Sequence, residues 1–164
     1  GMRDEDFQPV AVKRVIKDMI RNFTRQDKQF YIDCSKTFYS SSAVDHQVDE
    51  SNFATTFDVL MKGDPGVLGY ILECDGERAG YFLASFVYSN EVGGTVMLME
   101  ELFILPEYRG HGLATSLFDY VKANFSDKVR RFRLEVTKSN VRAARLYERM
   151  GFKILNYSQM YIDN

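Results

Sequence analysis

Two adjacent carboxylates, Glu100 and Glu101, interrupt the apolar run from Met97 to Leu105. A carboxylate inside such a strand is costly unless it is paired, hydrogen-bonded or facing a cavity. Burial would raise its pKa toward neutrality, which suits a general base that takes a proton from an ammonium group, directly or through water. Successive strand residues face opposite sides, so at most one of the two acids should point at a reacting group, unless a bulge changes the parity. A salt bridge at the strand end is the structural alternative. After Pro106, Glu107 and Tyr108 comes Arg109-Gly110-His111-Gly112-Leu113-Ala114-Thr115. An apolar strand running into a glycine-rich turn that opens a helix aims main-chain N–H groups and a helix N-terminus at one point, where a phosphate would be stabilised. Small residues at Gly110, Gly112 and Ala114 let the anion approach the main chain closely. No Gly-Lys-Ser/Thr follows, and Thr115 stands where a dinucleotide fingerprint would have its third glycine, so neither of those motifs applies. His111 reads as a solvent-facing loop residue whose main chain belongs to the cradle.

The third group lies downstream. Leu134-Glu135-Val136 reads as a strand, and Asn140 opens a segment that runs through Ala143 and Tyr147 to Gly151-Phe152. At about 100 degrees per residue, Asn140, Ala144 and Tyr147 share one arc of a helix, while Arg142, Arg145 and Arg149 fall on the other side. A tyrosine at this spacing is commonly core, although a phenol facing a reacting centre can also donate a proton. Asn140 suits a helix N-cap. Lys128, Arg130, Arg131 and Arg133 form a basic cluster that could attract a phosphate, and a solvated stripe is the commoner reading of such arginines.

Taken together, Arg109-x-x-Gly112-x-Ala114 and the stretch Leu134-x-Val136-x-x-x-Asn140-x-x-Ala143-x-x-x-Tyr147-x-x-x-Gly151-Phe152 resemble, in the right order, two signatures of the GNAT superfamily of acyl-CoA-dependent N-acyltransferases. The resemblance is firm from about Val67 to Phe152. It implies that Leu102, Phe103 and Ile104 offer main-chain groups to pantetheine and an N–H to the thioester oxygen, and that Arg109 to Thr115 hold the pyrophosphate. It further implies that Asn140 and Ala143 border the cofactor arm and that Tyr147 protonates the departing thiolate. Polyamine-acetylating members carry a similar acid-acid-aromatic-aromatic stretch, whose first acid matches Glu100 as the proposed base. The later motif is also similar to that of ribosomal-protein N-terminal acetyltransferases. The implied activity is direct acetyl transfer from acetyl-CoA to the primary amine of a small molecule such as a polyamine or amino acid. The alternatives are a protein N-terminus or lysine as acceptor, and a non-catalytic acyl-CoA binding module. Phe38, Tyr39, His46, Tyr88 and Tyr157 lie in segments that could converge on an acceptor, since a cation is attracted to aromatic faces and carboxylates. Dimers are common among similar enzymes, so a homodimer is possible by analogy.

These groups need a scaffold. A first strand falls somewhere within Val10 to Phe23. Thr24 with Asp27 resembles a capping box for a helix over Arg25–Phe38. A second helix, capped at Asp49 or Ser51, ends near Lys62. Val67–Cys74 and Arg78–Tyr88 form a hairpin around Asp75-Gly76, and Gly93-Gly94 turns the chain into Thr95–Leu105. Leu113, Leu117, Phe118, Val121 and Phe125 line one helical face. Phe132–Val136 supplies the next strand, and Phe152–Tyr161 a final strand or hairpin arm. The resemblance and this pattern predict an α/β (α+β) fold: a mixed, mostly antiparallel central sheet of six or seven strands flanked by about four helices.

A chain of 164 residues with 45% hydrophobic content suffices for one domain with a true core. Gly1 before Met2 reads as an expression scar, and residues up to about 18 as an extension. A net charge of -2 offers no bulk attraction to nucleic acid or to an anionic membrane. No apolar stretch approaches the ~20 residues of a membrane span. Cys34 and Cys74 have no metal-ligand spacing and no signal peptide is visible, so a cytoplasmic protein without metal or disulfide is expected.

Overall fold

The computed structural model describes residues 20–40 and 48–164. Among them are five strands: β1 (Ile20–Asn22), β2 (Val67–Cys74), β3 (Glu77–Ser89), β4 (Gly94–Ile104) and β5 (Arg131–Leu134). Four α-helices accompany them: α1 (Lys28–Tyr39), α2 (Ser51–Met61), α3 (Leu113–Phe125) and α4 (Val141–Arg149). The sheet order follows the chain, β1 to β5. The first four strands pair antiparallel, and β5 joins β4 in parallel. A parallel pair needs a crossover, and α3 provides it.

The hairpin forms where Asp75-Gly76 predicts it, with φ of 52° and 79° at the two turn residues. Two left-handed residues give the turn whose twist matches the flanking strands. Alternation along the strands then divides the core between two faces. Leu72, Phe82, Ala84 and Met97 face α3, which presents Leu113, Leu117 and Val121. Ile71, Tyr81, Leu83 and Phe103 face Tyr31 and Cys34 of α1 and Phe53 and Phe57 of α2. Strands β3 and β4 approach so closely at Gly80 that a Cβ there would sit 2.1 Å from the Phe103 carbonyl oxygen.

Three expectations change. The sheet has five strands among the described residues, where six or seven were expected. β5 stops at Leu134, short of Val136, and Phe152–Tyr161 forms no strand. Composition favours a strand in that last segment, but it enters no ladder among the described residues. Among the described residues the first strand is Ile20–Asn22, within the expected stretch, and His46 lies outside the described residues.

The start of α1 carries the most demanding electrostatics. Thr24 and Asp27 form the expected capping box on a 3-10 turn, Arg25–Asp27, that leads into α1, with the Thr24 main-chain N–H donating to Asp27 at 2.7 Å. The Asp27 side chain is fully buried, and it accepts from Arg21 on β1 at 2.8 Å and 2.9 Å and from Arg78 on β3 at 2.8 Å. Arg21 also pairs with Glu73. Burial alone would raise the Asp27 pKa, but the hydrogen bonds from Arg21, Thr24 and Arg78 outweigh it and hold the carboxyl well below the ordinary carboxylate range. The network ties the sheet edge to the first helix.

Removing the acid would leave two arginines without the carboxylate they share. Asp27→Asn should cost on the order of 2–3 kcal/mol, the lower end for a broken buried pair because both arginines are partly solvated. A depressed carboxyl stabilises the fold above its unfolded pKa of about 4, and that contribution drains away as pH falls toward its folded value. Denaturant titrations at neutral and acid pH should therefore show a gap between wild type and variant that narrows on acidification; a gap independent of pH would refute the account.

Candidate active site

Strands β4 and β5 pair only from Val96 to Met99 and from Arg131 to Leu134. Beyond Met99, β4 continues to Ile104 with β3 as its one sheet neighbour, and β5 has ended. The strands therefore part, and a cavity of about 820 Å³ opens at that point. Phe38, Tyr39, Glu100, Glu101, Asn140 and Tyr147 are among its lining residues. That volume suits a small-molecule site.

A bulge sits at the point of parting. Glu101 pairs with Leu83 and Met99 with Ala84, so Glu100 is an extra residue on β4. The consequence is decisive for the two acids. In a regular strand they would face opposite sides. Here Ser85 donates to Glu100 at 2.7 Å, while Tyr81 donates to Glu101 at 2.6 Å. Tyr81, Leu83 and Ser85 alternate onto the α1–α2 face of β3, so both carboxylates lie on that face. The bulge, which the expectation of a single inward-facing acid excepts, brings both acids to the cleft.

The two acids differ in surroundings. Glu100 is exposed, and Glu101 is partly buried, with the Tyr39 hydroxyl donating to one oxygen and Tyr81 to the other. Burial pushes the Glu101 carboxyl up, the two phenols pull it back, and the neighbouring Glu100 charge adds to the rise; the outcome is above the ordinary value. Burial and the Glu101 charge also raise the Tyr39 and Tyr81 phenols, which remain protonated donors. Behind them, Ser35 reaches the Tyr81 hydroxyl at 3.5 Å, and burial pushes the Tyr31 phenol up to about 12.

Asn140 caps α4 by accepting from the Ala143 N–H at 3.3 Å. Ala143, Ala144 and Tyr147 turn toward the cleft and the sheet, while Arg142, Arg145 and Arg149 are exposed. The Tyr147 ring packs edge-on to Phe152 at 5.8 Å, and Phe152 lies 5.0 Å from Phe118 of α3, which fixes the rotation of α4. Burial raises the Tyr147 phenol, so it stays protonated at neutral pH.

The chain leaving β4 makes a 3-10 turn at Pro106–Tyr108 and enters α3. Gly110 and Gly112 take φ of 80° and 78°, a region that favours glycine. Nothing lies within 4 Å of a Cβ at either position. No side chain caps α3, so its first N–H groups are open to an anion. Leu113 is buried, anchoring the helix, and His111 and Thr115 are exposed. The Arg109 side chain donates to the Ile104 carbonyl at 2.8 Å and covers the Phe103 ring, so it braces the strand end. The free edge of Glu100 to Ile104, running straight into this turn, fits an elongated ligand that ends in a diphosphate. Phe103 is buried and Leu102 and Ile104 pack against the core, so main chain is what that edge offers.

Of the aromatic residues suggested for an acceptor, Phe38 and Tyr39 line the cleft, with Tyr39 stacked on Phe53 at 5.5 Å. Tyr88 and Tyr157 do not. Tyr88 pairs with Thr95, five residues before Glu100 and so roughly 17 Å along the strand, and Tyr157 donates to Glu91 in the β3–β4 turn at 2.7 Å. Three of the four residues of the basic cluster are engaged elsewhere: Arg131 pairs with Glu91, Arg130 packs on Gly94, and Lys128 covers Phe125. Tyr81 and Ser85 were missed from sequence. Their spacing marks one face of a strand, but the register that sets them beside the two acids has no local signal.

The family model for the acetyltransferase (GNAT) family matches residues 27–152, and the chain belongs to that family. Thialysine N-epsilon-acetyltransferase of Mus musculus is 34% identical over 85 residues, covering 51% of this chain and 49% of that protein. Spermidine N(1)-acetyltransferase of Escherichia coli K12 is 34% identical over 89 residues, covering 52% of this chain and 45% of that protein. The chain thus spans about half the length of the curated relatives it matches. The fold is shared with aminoglycoside N-acetyltransferase AAC(6')-Iy in complex with CoA, with a TM-score of 0.70 and 20% identity over 88% of this chain and 93% of that one.

The phenol bonds to Glu101 lower its pKa, so losing one should let it climb. In a Tyr39→Phe variant, carboxyl-resolved NMR titration should show Glu101 titrating at higher pH than in the wild type. A shift in the other direction would rule out the hydrogen bond as drawn.

Proposed function

We propose that the chain transfers an acetyl group from acetyl-CoA directly to a primary amine of a small, cationic acceptor. The observation that carries this reading is the cleft at the parting of β4 and β5, which gathers two carboxylates and a protonated phenol on one side of an uncapped helix N-terminus. Family membership supports the reaction class, and the named activities of the thialysine and spermidine relatives support a small amine as acceptor.

Bound acetyl-CoA supplies the activated acetyl thioester. Main-chain N–H groups of Gly110 to Thr115 hold its diphosphate, and the free edge of Leu102, Phe103 and Ile104 takes the pantetheine arm as an added strand. An N–H of that edge stabilises the negative charge that develops on the carbonyl oxygen. Asn140 and Ala143 border the arm from α4. Glu101, with each oxygen held by a phenol, is a fixed negative charge that orients the cationic acceptor between Phe38 and Tyr39. Glu100 has one oxygen engaged by Ser85 and takes the proton from the acceptor ammonium, directly or through one water. The amine nitrogen bonds to the carbonyl carbon, the carbon–sulfur bond breaks, Tyr147 gives its proton to the departing thiolate, and the second nitrogen proton, lost as the amide forms, passes through water to the Tyr147 phenolate. No nucleophilic serine or cysteine intervenes; burial pushes the Cys34 thiol up to about 12, leaving it inert at neutral pH.

Calorimetric titration with CoA and acetyl-CoA tests the cradle, and mass-detected acetylation of spermidine, lysine analogues and peptides tests the chemistry. Glu100→Gln should lower kcat on the order of 10²-fold or more, and Tyr147→Phe should lower kcat with little change in KM. Glu101→Gln should act chiefly through a higher KM for cationic acceptors. Binding without any product would make the protein an acyl-CoA binding module, and product only from peptides would overturn the small-amine acceptor.

A further inference from the structure

Arg109 stands at the head of the glycine turn, where a cation would ordinarily meet a phosphate. Its side chain is engaged in the opposite direction. The Nε donates to the Ile104 carbonyl at 2.8 Å, and the guanidinium covers the Phe103 ring at 5.7 Å. Both contacts lie on β4, outside the cradle.

The direction of that carbonyl gives the contact its meaning. Leu105 donates its N–H to the Ala79 carbonyl on β3 at 2.8 Å. Across a trans peptide the preceding carbonyl points the other way, so the Ile104 oxygen faces the open side of β4, where β5 has already ended. Antiparallel alternation turns the main-chain groups of Phe103 toward β3 and those of Leu102 and Ile104 toward that same open side. The peptide that closes β4 is therefore held at both ends, by Ala79 through its N–H and by Arg109 through its carbonyl.

We propose that Arg109 is a positioning residue for the pantetheine arm and not a phosphate ligand: by fixing the peptide that closes β4, it keeps the Leu102 and Ile104 groups in the extended form with which an added strand pairs. This role rests on the acetyl-transfer reading, and it assigns the effect to a hydrogen-bond donor instead of a charge. The 3-10 turn Pro106–Tyr108 returns the chain so that Arg109 meets the residue five positions back. The brace thus sits where the arm leaves the diphosphate and joins the edge. Phosphate is left to the main-chain N–H groups of Gly110 to Thr115.

Two substitutions separate donor from charge. Gln carries its Nε2 as many bonds from the main chain as Arg carries its Nε, so Arg109→Gln keeps the donor without the charge. Arg109→Met keeps the packing on Phe103 and has neither. Arg109 is exposed, so circular dichroism of both variants should match the wild type. The calorimetric probes are CoA and 3'-phospho-ADP, which is CoA without its arm. Arg109→Met should weaken CoA binding about 3–10-fold and leave 3'-phospho-ADP within about twofold, whereas Arg109→Gln should match the wild type with both. NMR-detected hydrogen exchange should show the Leu102 and Ile104 amides protected by CoA but not by 3'-phospho-ADP, with less protection in Arg109→Met than in Arg109→Gln. Equal weakening of both probes in both variants would make Arg109 a phosphate ligand, and a Met variant that binds CoA as the wild type does would leave it no role. Either result overturns the proposal while the wild type still acetylates an amine. A wild type that binds neither probe would instead bring down the acetyl-transfer reading, and this role with it.

Discussion

The parting of β4 from β5 is the constraint on which the site depends. A parallel pair shares its ladder only as long as both strands run side by side, and here that ends at Met99 and Leu134. The bulge at Glu100 coincides with the end of pairing. An extra residue sharpens the local twist of β4, and it is tolerated where the strand has one neighbour to stay in register with. What the sheet loses in ladder hydrogen bonds it gains as an opening with free backbone groups at its rim. The cost is met on the other side, where β4 is held to β3 along nearly its whole length and through a contact at Gly80 too close for any side chain.

The same bulge organises the electrostatics. Two carboxylates side by side on one face repel each other, and the cleft accommodates them unequally. Glu101 is drawn into the aromatic layer and held by the hydroxyls of Tyr39 and Tyr81, whereas Glu100 stays at the solvent side with Ser85. Tyr39 comes from the end of α1 and Tyr81 from the middle of β3, so the position of Glu101 reports how helix and sheet are packed. The packing is in turn secured at the far end of α1 by the buried Asp27 with Arg21 and Arg78. Site geometry and edge stability are therefore linked through one helix.

Much of the scaffold is legible because it rests on local chemistry. Thr24 and Asp27 announce the start of α1, Asp75-Gly76 the hairpin, the spacing of Leu113, Leu117 and Val121 the buried face of α3, and Asn140 the start of α4. Each signal lies within a few residues of its effect. The failures are non-local. Phe152–Tyr161 has a strand's composition but enters no ladder among the described residues, Tyr88 and Tyr157 are aromatic but lie at the distant β3–β4 end, and Arg131 is spent on Glu91.

By itself, the sequence determined the family, the order of the elements and the turn that opens α3, since glycines at 110 and 112 and an apolar run before them act through backbone freedom and short-range periodicity. It also determined that Tyr147 would face the sheet, because helical spacing leaves its arginine neighbours for water. Only the tertiary structure decided the relation of Glu100 to Glu101. Side-chain parity in a strand reverses with a single inserted residue, and the bulge that inserts it is set by the register of β4 against β3 and by where β5 stops, neither of which is encoded near the two acids.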